Sequence, residues 1–99
     1  MTKFRLTHKS VNDLSEIWNY TFDYWSENQA DIYYQMLIEN CREIANKPNL
    51  GKNYDGILNR LLGLRVGKHI IFYRKLNSNE VQITRILHER MDLKSRIPE

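Results

Sequence analysis

Residues 61–75 read LLGLRVGKHIIFYRK, and the fold turns on them, because here the spacing of apolar residues shifts from a helical stripe to strict alternation. LLGLRV places Leu62, Leu64 and Val66 on one side of a strand and Gly63 and Arg65 on the other. GKH makes a tight connection. The following HIIFYRKL has few polar interruptions, as expected of a central strand covered on both faces. NSN at 77–79 signals a turn, and EVQITRILH behind it alternates again, with Val81, Ile83 and Leu87 expected on one face. The three strands predict an antiparallel meander.

Working back from the meander, residues 51–60 carry two glycines and no clear period, which reads as a loop. NKPNLG at 46–51 ends a helix, since proline cannot continue one and Asn and Gly suit the turn beyond. Upstream, Ala30, Tyr33, Tyr34, Leu37, Ile38, Cys41, Ile44 and Ala45 form the apolar face of that helix, and Ser26 with Gln29 marks its start. A first helix carries Val11, Leu14, Ile17, Trp18, Phe22 and Trp25 as a stripe. Its start is read at Ser10, with Asp13 three residues on, and its end near Trp25. Residues 3–7, KFRLT, alternate as a short first strand with Phe4 and Leu6 on one face. The order strand, helix, helix, strand, strand, strand predicts an α+β two-layer sandwich, a helical hairpin laid on a mostly antiparallel sheet.

The chain has 99 residues, 41% hydrophobic and 27% charged, which suits one globular domain spanning 1–99. No run approaches the length of a membrane span or a signal peptide, so the expected location is the cytoplasm, with no membrane partner. The net charge of +3 favours anionic partners without choosing between nucleic acid and an acidic protein. Cys41 is alone and falls at an apolar helical position, where a thiol acts as a small hydrophobe. His8, His69 and His88 share no ligand spacing with one another or with a carboxylate, so no metal is expected. Glycine-rich nucleotide and serine-hydrolase motifs are missing, and no cofactor is implied.

What remains is cationic: Arg65, Lys68, His69, Arg74, Lys75, Arg85, His88 and Arg90. Arg65 and Arg85 stand among apolar strand residues, where an unpaired guanidinium would be costly to bury. Three readings stay open on these residues. Each arginine finds an internal carboxylate or extends its head into water; or the set forms a groove for an acidic peptide; or it forms a phosphate-binding nuclease cleft in which His88 moves a proton.

The blocks LSEIWNYTFDYWSENQADIYYQML, IANKPNLGK, LLGLRVGKHIIFYRK and ITRILHERMD, in this order, resemble the ParE branch of the RelE/ParE toxin superfamily over essentially the whole chain. The resemblance implies the toxin of a type II toxin-antitoxin system with a helical hairpin on an antiparallel sheet. ParE-type members poison DNA gyrase, and RelE-type members cut messenger RNA on the ribosome. The chain lacks a tyrosine after Tyr73, and its RMD ending favours the ParE branch, for which no catalytic residue is expected. On the alternative RelE-like reading, a ribosome-dependent endoribonuclease, the set would be Arg65, Lys68, Arg85, His88 and Arg90.

The implied partner is a cognate ParD-like antitoxin whose C-terminal segment wraps the toxin, with operator DNA reached only through the antitoxin. Tyr20, Tyr24 and Tyr34 with Arg65, Arg74 and Arg85 are the expected antitoxin contacts, apolar anchors in a cationic surround. His88, Arg90, Met91 and Asp92 form a C-terminal motif that binds the target or holds the strand exit, with Met91 packed beneath the tail and Asp92 pairing with a nearby base.

Overall fold

The computed structural model describes residues 3–97. The chain runs β1 (Lys3–Leu6), α1 (His8–Tyr24), α2 (Glu27–Asn46), β2 (Lys52–Asn53), β3 (Leu62–Val66), β4 (His69–Asn77), β5 (Glu80–His88) and α3 (Leu93–Arg96). The strands form one sheet in the order β1-β5-β4-β3-β2, antiparallel except where β1 lies parallel to β5. The α+β architecture and the meander of β3, β4 and β5 agree with the sequence reading. No helix among the described residues is long and apolar enough to cross a membrane.

The helices pack on one face of the sheet. Leu14 of α1 and Leu37, Cys41, Ile44 and Ala45 of α2 meet Val66, Ile71, Tyr73, Val81, Ile83 and Ile86. Burial pushes the Cys41 thiol up to about 12, so it stays protonated and packs as an apolar group. The Tyr73 hydroxyl donates to the Pro48 carbonyl and accepts from Gly51 N–H, fastening the chain after α2 to the sheet.

The opposite face of the sheet is covered as well. Leu61, Ile70, Phe72, Leu87 and Ile97 form a second cluster, with Tyr54, Ile57, Leu58 and Leu93 packed against it. Adjacent residues of β4 therefore serve different cores, which fits its unbroken apolar run. The 51–60 region, read as a loop, contributes the two-residue strand β2 and then the turns that cover this second face.

Two local expectations change. Val81, Ile83 and Leu87 do not share a face, because Phe72 pairs with Arg85 while Tyr73 pairs with Ile83, leaving Thr84 as an extra residue. This β-bulge reverses the alternation, so Ile86 takes the helix side and Leu87 the other. The cap of α1 is Thr7, not Ser10: Thr7 Oγ1 accepts from Ser10 N–H at 3.1 Å and donates to the Thr84 carbonyl at 2.8 Å. Ser10 lies buried inside the first turn. The second helix is capped by Ser26 through Gln29 N–H, as read from the sequence.

Asp13, read as part of a capping box, has another task. β1 accompanies β5 only as far as Ile83, so the outer edge of β5 continues without a strand neighbour. Asp13 Oδ2 accepts from Ile86 N–H at 3.0 Å, and both its oxygens accept from Arg85 at 2.8 and 3.0 Å. Arg85 also donates to the Arg96 carbonyl at 3.0 Å, tying the C-terminal segment to the same point. With only 14% and 8% of the Arg85 and Asp13 side chains exposed, removing one partner strands the other in a poorly solvated place. Asp13→Ala should cost about 3–5 kcal/mol in urea unfolding. Asp13→Asn, which keeps an acceptor for Ile86 N–H, should lose less, and a loss under about 1 kcal/mol for Asp13→Ala would mean water replaces the carboxylate at no great cost.

Candidate functional site

The corner where α1 gives way to α2 stands beside the β3–β4 turn and the exit of β5, and two adjoining cavities open there. The larger, of about 500 Å³, has aromatic walls from Tyr20, Trp25 and Tyr33 and cations at its rim from Lys68 and Arg90. The smaller, of about 350 Å³, is a cleft between α1 and the part of β5 that β1 does not accompany. Ile17, Ile86, Leu87 and Met91 supply its apolar lining, with Glu16 and Arg96 among its polar groups. Tyr20, Thr21, His69 and His88 line both, so the two make one continuous groove.

A hydrogen-bonded chain holds the floor. The Tyr33 hydroxyl accepts from Lys68 N–H at 3.1 Å, which leaves its proton to donate to His69 Nδ1 at 2.6 Å. Burial raises the Tyr33 phenol further above neutrality, so it keeps that proton. His69 is lowered to about 4, first by burial and then by His88, against a smaller opposing effect of Glu89 and Asp13. It is therefore a neutral imidazole at physiological pH. The His69 and His88 rings meet edge to face at 5.3 Å, and His88 Nδ1 accepts from Arg90 N–H at 3.1 Å. The turn itself needs Gly67, with φ of +59° and a position where a Cβ would lie 2.8 Å from the Tyr33 hydroxyl.

The structure divides the cations singled out in the sequence. Arg85 is committed to Asp13 and is not held ready for an acidic guest, whereas Arg65 forms an ion pair with Glu89 while its side chain stays 70% exposed. Arg74 is exposed on β4 and lines neither cavity. Lys68 and Arg90 line the larger cavity, and their side chains have no acceptor among the described residues. Of the five residues in the nuclease set, Lys68, His88 and Arg90 converge, whereas Arg65 is turned to Glu89 and Arg85 to Asp13.

The tyrosines divide similarly. Tyr20 is exposed and lines the groove, with Tyr24 tilted against it at 4.5 Å but outside the cavities. Tyr34 is half-buried against the helix–sheet core, where its ring packs between layers. Met91, expected beneath the tail, stands at the cleft, because Leu93 and Ile97 of the C-terminal turn take the apolar positions on the second face. Asp92 precedes α3, and its carbonyl, not its carboxylate, accepts from Ser95 and Arg96. The sequence reading missed Trp25 as a groove residue: it is 76% exposed, and its place in an apolar stripe hid it.

Protonation of His69 is disfavoured in the folded state, so the unfolded chain takes up that proton first as acidity increases. The contribution of neutral His69 is whole above about pH 6.5 and is lost as pH falls toward about 4. His69→Gln, which keeps an acceptor for Tyr33, should flatten the fall in urea midpoint across that window; an unchanged slope would assign the acid sensitivity to other groups.

Comparison with known proteins agrees with this architecture. Residues 4–93 match the family model described as ParE toxin of type II toxin-antitoxin system, parDE. The chain is 32% identical over 92 residues to Toxin ParE1 of Mycobacterium tuberculosis, covering 93% of this chain and 94% of that one. It is 29% identical over 97 residues to Toxin ParE1 of Caulobacter vibrioides, covering 98% and 99%. Among solved structures, a chain of the chromosomal ParDE system from P. aeruginosa superposes with a TM-score of 0.74 at 20% identity, over 89% of this chain and 96% of that one. A chain of the RelBE2 toxin-antitoxin complex from Mycobacterium tuberculosis superposes with a TM-score of 0.68 at 19% identity, over 89% and 98%. With the family match running from β1 to the start of α3, the chain belongs to the ParE family, toxins of type II toxin-antitoxin systems.

Proposed function

We propose that this toxin arrests growth by poisoning DNA gyrase in the cytoplasm, and that a cognate ParD-like antitoxin silences it by laying its C-terminal segment in the groove beside α1. The observation that carries the antitoxin reading is the cleft between α1 and the part of β5 that β1 does not accompany, with Ile17, Ile86, Leu87 and Met91 in its lining. An extended or helical guest there gains apolar burial on both sides and reaches a cationic rim at Lys68 and Arg90. The two solved neighbours come from toxin-antitoxin systems, which supports the same kind of partnership here.

Family membership supports gyrase as the target. The burial of Arg85 against Asp13 supports it too, because a ribonuclease of the alternative type needs several free cations around the scissile phosphate. On this reading the toxin is a binding protein that leaves gyrase's own DNA breaks unsealed.

Purified toxin added to gyrase, plasmid and ATP should abolish supercoiling and accumulate cleaved plasmid. Normal supercoiling at excess toxin, together with cut messenger RNA in a translating extract, would transfer the reading to the ribosome. For the antitoxin, Ile17→Asp and Met91→Asp should each weaken binding of the co-encoded protein by roughly tenfold or more, about 1.4 kcal/mol, in calorimetry. Raised salt should weaken the wild-type complex only in part, since apolar burial is not screened. Unaltered affinity in both variants would move the antitoxin elsewhere on the surface.

A further inference from the structure

We propose that the larger cavity is a binding site for one nucleotide unit of a single-stranded nucleic acid, with its phosphate at Lys68 and Arg90 and its base against Trp25 and Tyr20. The site is assembled from three places in the chain. The α1–α2 corner supplies the rings, the β3–β4 turn supplies Lys68, and the exit of β5 supplies Arg90. The last two are fastened to each other, because the Lys68 carbonyl accepts from Glu89 N–H at 2.9 Å and the Lys68 N–H is held by Tyr33.

The charged side chains at its rim, Lys68 and Arg90, are both cations. Among the described residues no carboxylate lines the cavity, and Glu89, which acts on Tyr33 and His69 in its floor, is drawn to Arg65. Lys68 and Arg90 are thus left with no acceptor among the described residues, in a chain that carries a net charge of +3. Two such cations at the mouth of a cleft raise the local concentration of an anion.

The rings choose among anions. A carboxylate side chain would satisfy the cations and leave Tyr20 and Trp25 uncovered, at 61% and 76% exposure. A nucleobase covers such faces by stacking while its phosphate meets the cations, and the amide of Gln29 is within the same cavity to bond a base edge. A volume of about 500 Å³ accommodates one nucleotide, and a base inside a duplex has both faces already stacked on its neighbours. No cleavage step is assigned: the site holds a strand. The inference is separate from the gyrase reading, since it concerns the purified toxin and a nucleic-acid strand alone.

Fluorescence anisotropy with labelled oligothymidylate and oligouridylate tests it, using the folded chain verified by circular dichroism. Wild-type toxin should bind at low salt, with log K falling against log salt at a slope of roughly −0.7 for the one phosphate that the site neutralises. Lys68→Glu, Arg90→Glu and Trp25→Ala should each weaken binding by roughly tenfold. Lys47→Glu, at the far end of α2, carries the same charge change and should have a much smaller effect. Tighter binding of one oligonucleotide names the strand as DNA or RNA, and either result supports the site. The proposal is overturned if neither oligonucleotide binds, if Lys47→Glu matches Lys68→Glu, or if Trp25→Ala binds normally. Tight binding of a glutamate- and tyrosine-containing peptide in place of both oligonucleotides would also overturn it.

Discussion

The carboxylate of Asp13 is where the first helix, the last strand and the C-terminal segment are joined. It meets the bidentate Arg85 guanidinium and the Ile86 amide at once, and Arg85 passes the connection on to the Arg96 carbonyl. A strand edge that loses its neighbour midway has amides that require another acceptor when water is excluded. Here the helix that follows β1 provides one. Thr7 supplies the complementary donor one step earlier, its hydroxyl bonding the Thr84 carbonyl, so the start of α1 continues the stitching that β1 began.

That arrangement stands α1 alongside the rest of β5 without closing on it, and the groove is the space left between them. The bulge at Thr84 contributes by reversing the alternation at the same place. Ile86 returns to the helix-facing core while Leu87 joins the second cluster, where the C-terminal turn covers it. A chain this short covers both faces of its central strands only by using irregular segments as the second layer, namely residues 54–61 and α3. Met91 is left at the cleft because Leu93 and Ile97 have taken the apolar positions beneath.

The division of cations follows from the same geometry. Arg85 and Arg65 rise from strands and each meets a carboxylate of this chain; for the buried Arg85 the pairing lowers the cost of placing charge beside apolar residues, while Arg65 keeps most of its surface in water. Lys68 and Arg90 come from turns, where side chains keep their water and remain open to a guest. The groove therefore joins an apolar cleft with its own acids to a ring-lined cavity that has none among the described residues, and a partner lying along it would cover both.

Local sequence determined the elements. The apolar stripes of α1 and α2, the Ser26 cap, the proline-bearing stop at 46–51 and the alternation of β3 to β5 are short-range patterns, each set by backbone geometry over a few residues. The family blocks carried the likeness to ParE toxins because residues that pack the same fold recur in the same order. Asp13 illustrates what such patterns leave open: three residues after Ser10 it reads as a cap, yet its partner lies 72 residues away. Whether Arg65 and Arg85 served a guest or the chain itself, which face Leu87 occupied, and how Trp25, Tyr33, Lys68 and Arg90 came to surround one cavity were decided only in the tertiary structure. Each depends on which distant segment arrives beside a residue, and no local periodicity encodes that.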